Sequence, residues 1–99
     1  MTPSEIHRQA QAAGEKAAFE CSSHGCCGFA WVNIKPGTSK FARFLKENGI
    51  ARKDSYFGGV SVWVSVGGQS IDKKEAYAGA YADVLQANGI RAFAMSRMD

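Results

Sequence analysis

An α+β fold, with a four-stranded antiparallel sheet and two helices on one of its faces, is predicted by three features of the chain. The phrase Leu45-Lys46-Glu47-Asn48-Gly49-Ile50 returns as Leu85-Gln86-Ala87-Asn88-Gly89-Ile90. A β-like run holding a tryptophan precedes each copy, Trp31-Val32-Asn33-Ile34 and then Trp63-Val64-Ser65-Val66. Gly58-Gly59, between the halves, is a two-residue hairpin signal. After a first helix the element order therefore reads β-α-β-β-α-β. That is the split-βαβ, ferredoxin-like pattern, built from two similar halves within one domain, 1–99.

The first helix is expected over 2–20. Thr2 caps it, Pro3 suits the first helical position, and Glu5 completes a capping box. Its apolar stripe, Ile6, Ala10, Ala13 and Ala17, is shallow, and Gly14 weakens the helix by ~1 kcal/mol relative to alanine. Residues 21–27 read as a loop. The βαββαβ core follows over 28–97. The first strand runs from Gly28 to Ile34 and is ended by Pro36-Gly37, because proline cannot donate to a ladder. Thr38 or Ser39 caps the second helix, which buries Phe41, Phe44 and Leu45 and stops at Gly49. Residues 51–57 form a short, partly charged edge strand. Val60 to Val66 is the strongest strand, with valine at every second position. Asp72 with Glu75 reads as a capping box for the third helix, which buries residues among Tyr77, Ala80, Tyr81, Val84 and Leu85. Residues 90–97 form the last strand.

Ninety-nine residues, net charge +3 and three cysteines bound the function. The length allows one modest core. Fifteen alanines and eleven glycines favour helices lying close on a sheet. No apolar run approaches the ~18 residues a membrane span needs. Cysteines clustered within 21–27 make a poor disulfide framework, and Met1-Thr2-Pro3-Ser4-Glu5 does not read as a secretory signal. A cytoplasmic protein without membrane contact is expected.

Strand alternation sorts the side chains onto two faces. Ala30, Val32, Ile34, the valines, Ala92 and Ala94 suit packing under helices. The other face carries Phe29, Trp31, Trp63, Phe93 and Met95, flanked by Arg91 and Arg97. With the first and third strands adjacent, Trp31 and Trp63 lie together. So large an aromatic patch is usually covered or used. The first helix could fold across it, a second copy could dock sheet to sheet, or bases could stack on it as on RNA-recognition sheets.

Other signals are weaker. Cys21, His24, Cys26 and Cys27 are potential soft-metal ligands, but adjacent Cys26 and Cys27 rarely both turn to one ion. Lys40, Arg43 and Lys46 share one face of the second helix, as a solvated surface or as a basic patch for phosphates or an acidic partner. Gly67-Gly68 lacks the pattern of a phosphate loop, and no carboxylates are paired for acid–base chemistry.

From Cys27 onward the chain resembles small uncharacterised proteins of tailed bacteriophages and marine viral genomes. The stretches that carry the resemblance are Cys27-Gly28-Phe29-Ala30-Trp31-Val32-Asn33-Ile34-Lys35-Pro36, Ala51-Arg52-Lys53-Asp54, Gly58-Gly59, Lys74-Glu75-Ala76 and Ser96-Arg97-Met98-Asp99. It implies a viral protein working in a bacterial host cytoplasm, and it transfers no catalytic residues. The reading is thus a non-enzymatic binding protein without a cofactor, a homodimer acting on a host macromolecule through the aromatic face. The alternatives are a single-stranded nucleic-acid binder using the same face, and a metal- or thiol-dependent protein centred on the Cys/His loop.

Overall fold

A computed structural model of the chain describes residues 1–22, 25–66, 68 and 70–99. Helix α1 spans Pro3–Glu20, strand β1 Gly28–Lys35, helix α2 Lys40–Glu47, strand β2 Arg52–Lys53, strand β3 Val60–Trp63, helix α3 Ile71–Ala87 and strand β4 Arg91–Met98. The fold is α+β, with one antiparallel four-stranded sheet in the order β2-β3-β1-β4. Gly67 and Gln69, read from sequence as loop, lie outside the described residues.

The repeated phrase is a pair of matching helix stops. In each, the Ile N–H donates to the Leu carbonyl (Ile50 to Leu45, 2.8 Å; Ile90 to Leu85, 3.0 Å). The Gly N–H donates to the carbonyl one residue further along, Gly49 to Lys46 and Gly89 to Gln86. This is the Schellman pairing, and it requires the left-handed φ of +70° at Gly49 and +77° at Gly89. The Asn side chains add a further bond, Asn48 Nδ2 to the Phe44 carbonyl and Asn88 Nδ2 to that of Val84. Carbonyls orphaned at both helix ends are thereby satisfied.

Starts differ more from expectation. Thr2 and Glu5 form the predicted capping box on α1, and Ser39 caps α2. Helix α3 starts earlier than predicted: Ser70 is its cap, accepting from the Lys73 amide, and Asp72 sits inside the first turn. β2 is two residues long, not 51–57, and β3 ends at Trp63, with Val64 adding one more bond to Ala30.

The core lies between the sheet and the helices. Ala30, Val32, Ile34, Val60, Val62 and Ala92 meet Phe41 and Leu45 of α2 and Tyr77, Tyr81 and Leu85 of α3. Helix α1 lies along α3, on the helical side of the sheet. It therefore does not fold across the aromatic face. Its buried face is Ala10, Gly14 and Ala18, with Ala13 and Ala17 half-buried. Gly14 is small for a reason: a Cβ there would stand 2.8 Å from the Tyr77 ring. No basic residue closes the last turn of α1. Lys73 of α3 does so instead, its ammonium donating to the carbonyls of Ala18 (2.9 Å) and Cys21 (2.6 Å).

His7 joins this interface, with Nδ1 2.8 Å from the Tyr81 hydroxyl. Burial holds the His7 imidazole below its usual pKa and pushes the Tyr81 phenol up. A histidine pKa depressed by folding stabilises the native state above the unfolded value, and that contribution is lost as pH falls through the folded value. Melting temperature is therefore expected to fall as pH drops from about 7 to 5, and His7→Gln should flatten part of that slope. Identical slopes in the two proteins would dissociate His7 from α1 docking.

Candidate functional site

The sheet face turned away from the helices is set by register. Trp31 is opposite Trp63 on one side and Met95 on the other. One step along, Phe29 is opposite Arg97; in the other direction Asn33 lies between Ser61 and Phe93. Lys35 is opposite Arg91, and Arg52 opposite Ser61. Phe29, Trp31, Trp63, Arg91, Phe93, Met95 and Arg97 thus share one face, as alternation predicts.

The two tryptophan rings stack, with centroids 4.7 Å apart and planes inclined by 30°. Their environments differ. Trp31 is 6% exposed and Trp63 50%. The turn between β2 and β3 makes the difference. Asp54 Oδ1 accepts the amides of Tyr56 (2.9 Å) and Phe57 (2.8 Å), and Oδ2 accepts the Ser61 hydroxyl (2.7 Å). The Phe57 amide and the Ser61 hydroxyl together hold the Asp54 carboxyl below its usual range. Asn33, buried beside them, donates from Nδ2 to the Gly58 carbonyl at 2.8 Å. These bonds bend the chain over the sheet and place the Phe57 ring 6.1 Å from that of Trp31.

A groove of about 520 Å³ remains beside this turn, lined by Trp31, Asp54, Tyr56, Phe57, Trp63, Met95, Ser96 and Arg97. Ligand sites commonly fall in the range of roughly 300–1,000 Å³. Phe29 stands next to the groove, edge-on to Trp63 with centroids 6.4 Å apart. The Arg97 guanidinium and the Lys74 ammonium each lie 5.4 Å from its ring centroid. Lys74 is itself buried and donates to the Gly28 carbonyl. The Trp31 indole N–H is buried and finds no acceptor among the described residues.

No protein-family model, curated protein or solved structure matches the chain. Lys40, Arg43 and Lys46 are exposed on α2, whose buried face packs against the helical side of the sheet, so they stand apart from the aromatic groove. Cys21 is half-buried, Cys26 and Cys27 are exposed, and all are free thiols. Cys27 bridges to Ser70, and the Cys26 carbonyl accepts from Ile71, tying the loop to the start of α3. His24 lies outside the described residues, among which no three His, Cys, Asp or Glu side chains gather as metal ligands. No helix of the described residues is long and apolar enough to cross a membrane.

Sequence reasoning missed Asp54, Tyr56, Phe57 and the buried Lys74. Asp54-Ser55 just before an aromatic pair and Gly58-Gly59 was the available signal, since Asp side chains accept from amides two residues on and so favour turns over strands.

Proposed function

We propose that this chain is a non-enzymatic single-stranded nucleic-acid-binding protein that stacks bases on its open sheet face. The carrying observation is Trp63, half exposed and backed by a buried, stacked Trp31 within a groove edged by Arg97. Every base has a π-face, and stacking on an aromatic side chain is worth about 1–3 kcal/mol per base. Charge supports the same reading. Lys35 and Arg91 lie directly opposite each other, so the two cations can share one phosphate. Phe93, 46% exposed, is next to them. A chain of alternating phosphates and bases finds cations at both ends of a row of rings.

The 54–59 turn also disfavours sheet-to-sheet docking of a second copy. Stacked sheets approach to about 10 Å face to face, and Tyr56 and Phe57 stand in that space. The second reading is a host protein that seats an apolar side chain in the groove, favoured by Met95 at its wall. For the scaffold, we propose the ferredoxin-like split βαβ. Its support is a centre made of β1 and β3, edges made of β2 and β4, and helices α2 and α3 on one side. The resemblance to bacteriophage proteins suggests an infected bacterial cytoplasm as the setting.

Titrating the protein with a homothymidine oligonucleotide is expected to quench tryptophan emission at low salt. Engaging Lys35, Arg91 and Arg97 gives a slope of log affinity against log salt of about −2. Trp63→Ala should weaken binding about tenfold or more, whereas Lys46→Glu on α2 should leave it unchanged. Absence of quenching at low salt would sink the reading.

A further inference from the structure

We propose that the outer edge of β4 is a self-association surface, on which a second copy of the chain pairs antiparallel about a twofold axis through Met95. The two ends of the sheet differ sharply. On one side the edge strand β2 has two residues, a length that discourages further pairing. On the other, β4 has eight residues in unbroken register with β1, from Gly28↔Met98 to Lys35↔Arg91. Neither proline nor lysine nor a bulge interrupts it. Such an edge is a template for another strand.

The direction of its backbone groups is known. The Asp99 amide donates inward to the Cys27 carbonyl, so the odd-numbered residues of β4 face β1. The even-numbered ones, Ala92, Ala94, Ser96 and Met98, face outward. Consistent with this, the Ala92 carbonyl is reached from α3 by Gln86 Nε2 at 2.7 Å. That carbonyl keeps a second lone pair. Ala94, Ser96 and Met98 present a continuous outward row.

Charge selects the register. In a continued sheet, opposed residues must share a face, so the allowed pairings step by two residues. Centring on Ala94 would set Arg91 against the partner's Arg97, twice. Centring on Phe93 would leave Asp99 beyond the paired region, and centring on Ser96 would leave Arg91 without an opposite. Centring on Met95 sets Arg91 against the partner's Asp99 and Phe93 against the partner's Arg97, with the two Met95 side chains meeting on the axis. Opposite charges, a cation over a ring and an apolar centre then fall on one face, while the Ala94–Ser96 pairs exchange backbone hydrogen bonds. Arg97 already lies against a phenylalanine ring within the chain, that of Phe29. Pairing in this way would join the two aromatic grooves on one uninterrupted face. The association itself needs no ligand, so it stands or falls apart from nucleic-acid binding.

Sedimentation equilibrium in nucleic-acid-free buffer tests it. The wild-type chain is expected to be a dimer at tens of micromolar. Ala94→Pro removes an outward N–H while sparing the ladder to β1, since prolines are tolerated at an outer edge, and should give a folded monomer. Arg91→Asp and Asp99→Arg should each weaken the dimer about tenfold, and the double variant should restore it. A wild-type monomer at that concentration would overturn the proposal. So would a dimer indifferent to Ala94→Pro, or one that the double variant fails to rescue.

Discussion

Trp31→Ala is expected to destabilise the fold by about 3–5 kcal/mol, while Trp63→Ala, one strand away, should cost less than half as much. The rings are stacked neighbours of the same kind, so residue type does not separate them. Burial does. Trp31 is enclosed by Trp63, Phe57 and the cross-strand Met95, and truncation would leave a void beneath the 54–59 turn. Trp63 already has half its surface in water, and its loss removes contact area without opening a cavity. The indole N–H of Trp31 sharpens the expectation. A buried donor without an acceptor costs about 1–3 kcal/mol, so this tryptophan stabilises through its ring. Trp31→Phe loses ring area but also removes the orphaned donor, and should fall well short of the alanine variant. Urea unfolding followed by far-ultraviolet dichroism measures all three. Equal costs for Trp31→Ala and Trp63→Ala would mean that the turn does not seal the inner ring.

What was legible in the sequence was whatever local chemistry decides. The Asn-Gly helix stops work through bonds within six residues, and the face of each side chain on β1, β3 and β4 follows from a period of two. Both could be read directly, and with them the aromatic face. The rest depends on contacts distant in the chain. Arg52 to Phe57 has the composition of a charged edge strand, yet Asp54 captures two amides and a hydroxyl, and so β2 stops at Lys53. Ser70 outcompetes Asp72 as the start of α3 because the chain at Ser70 is already held by its bridge to Cys27. The side on which α1 lies was undecidable from its alanine stripe. Its place follows from Gly14 admitting the Tyr77 ring and from Lys73 closing its last turn, and both partners lie on α3. The consequence for function is direct: with α1 on α3, the tryptophan pair is roofed, among the described residues, by the six-residue turn at 54–59, and one ring stays half open.

That turn is the most sensitive point of the candidate site, and Gly59→Ala should show it. Gly59 has a φ of +62°, where an L side chain costs about 1–2 kcal/mol. An added Cβ would also collide with the Ile34 carbonyl oxygen, a backbone atom of β1 that cannot rotate away. Relief requires β3 to move from β1 where Ile34 pairs with Val60, or the turn to lift. Either movement strains the bond from the Asp54 amide to the Gly59 carbonyl and draws Phe57 off Trp31. Gly58 is the control. Its φ is +81°, but a Cβ there would meet nothing closer than the end of Lys35 at 3.9 Å. Gly58→Ala should therefore cost about 1–2 kcal/mol and leave the site closed, whereas Gly59→Ala should cost about 2–4 kcal/mol and shift Trp31 emission to the red. In a Trp63→Phe background, Trp31 is the sole tryptophan, so the shift reports the inner ring alone. If the two glycine variants behave alike, the contact with Ile34 does not hold the turn down, and closure over Trp31 must come from the Asp54 bonds by themselves.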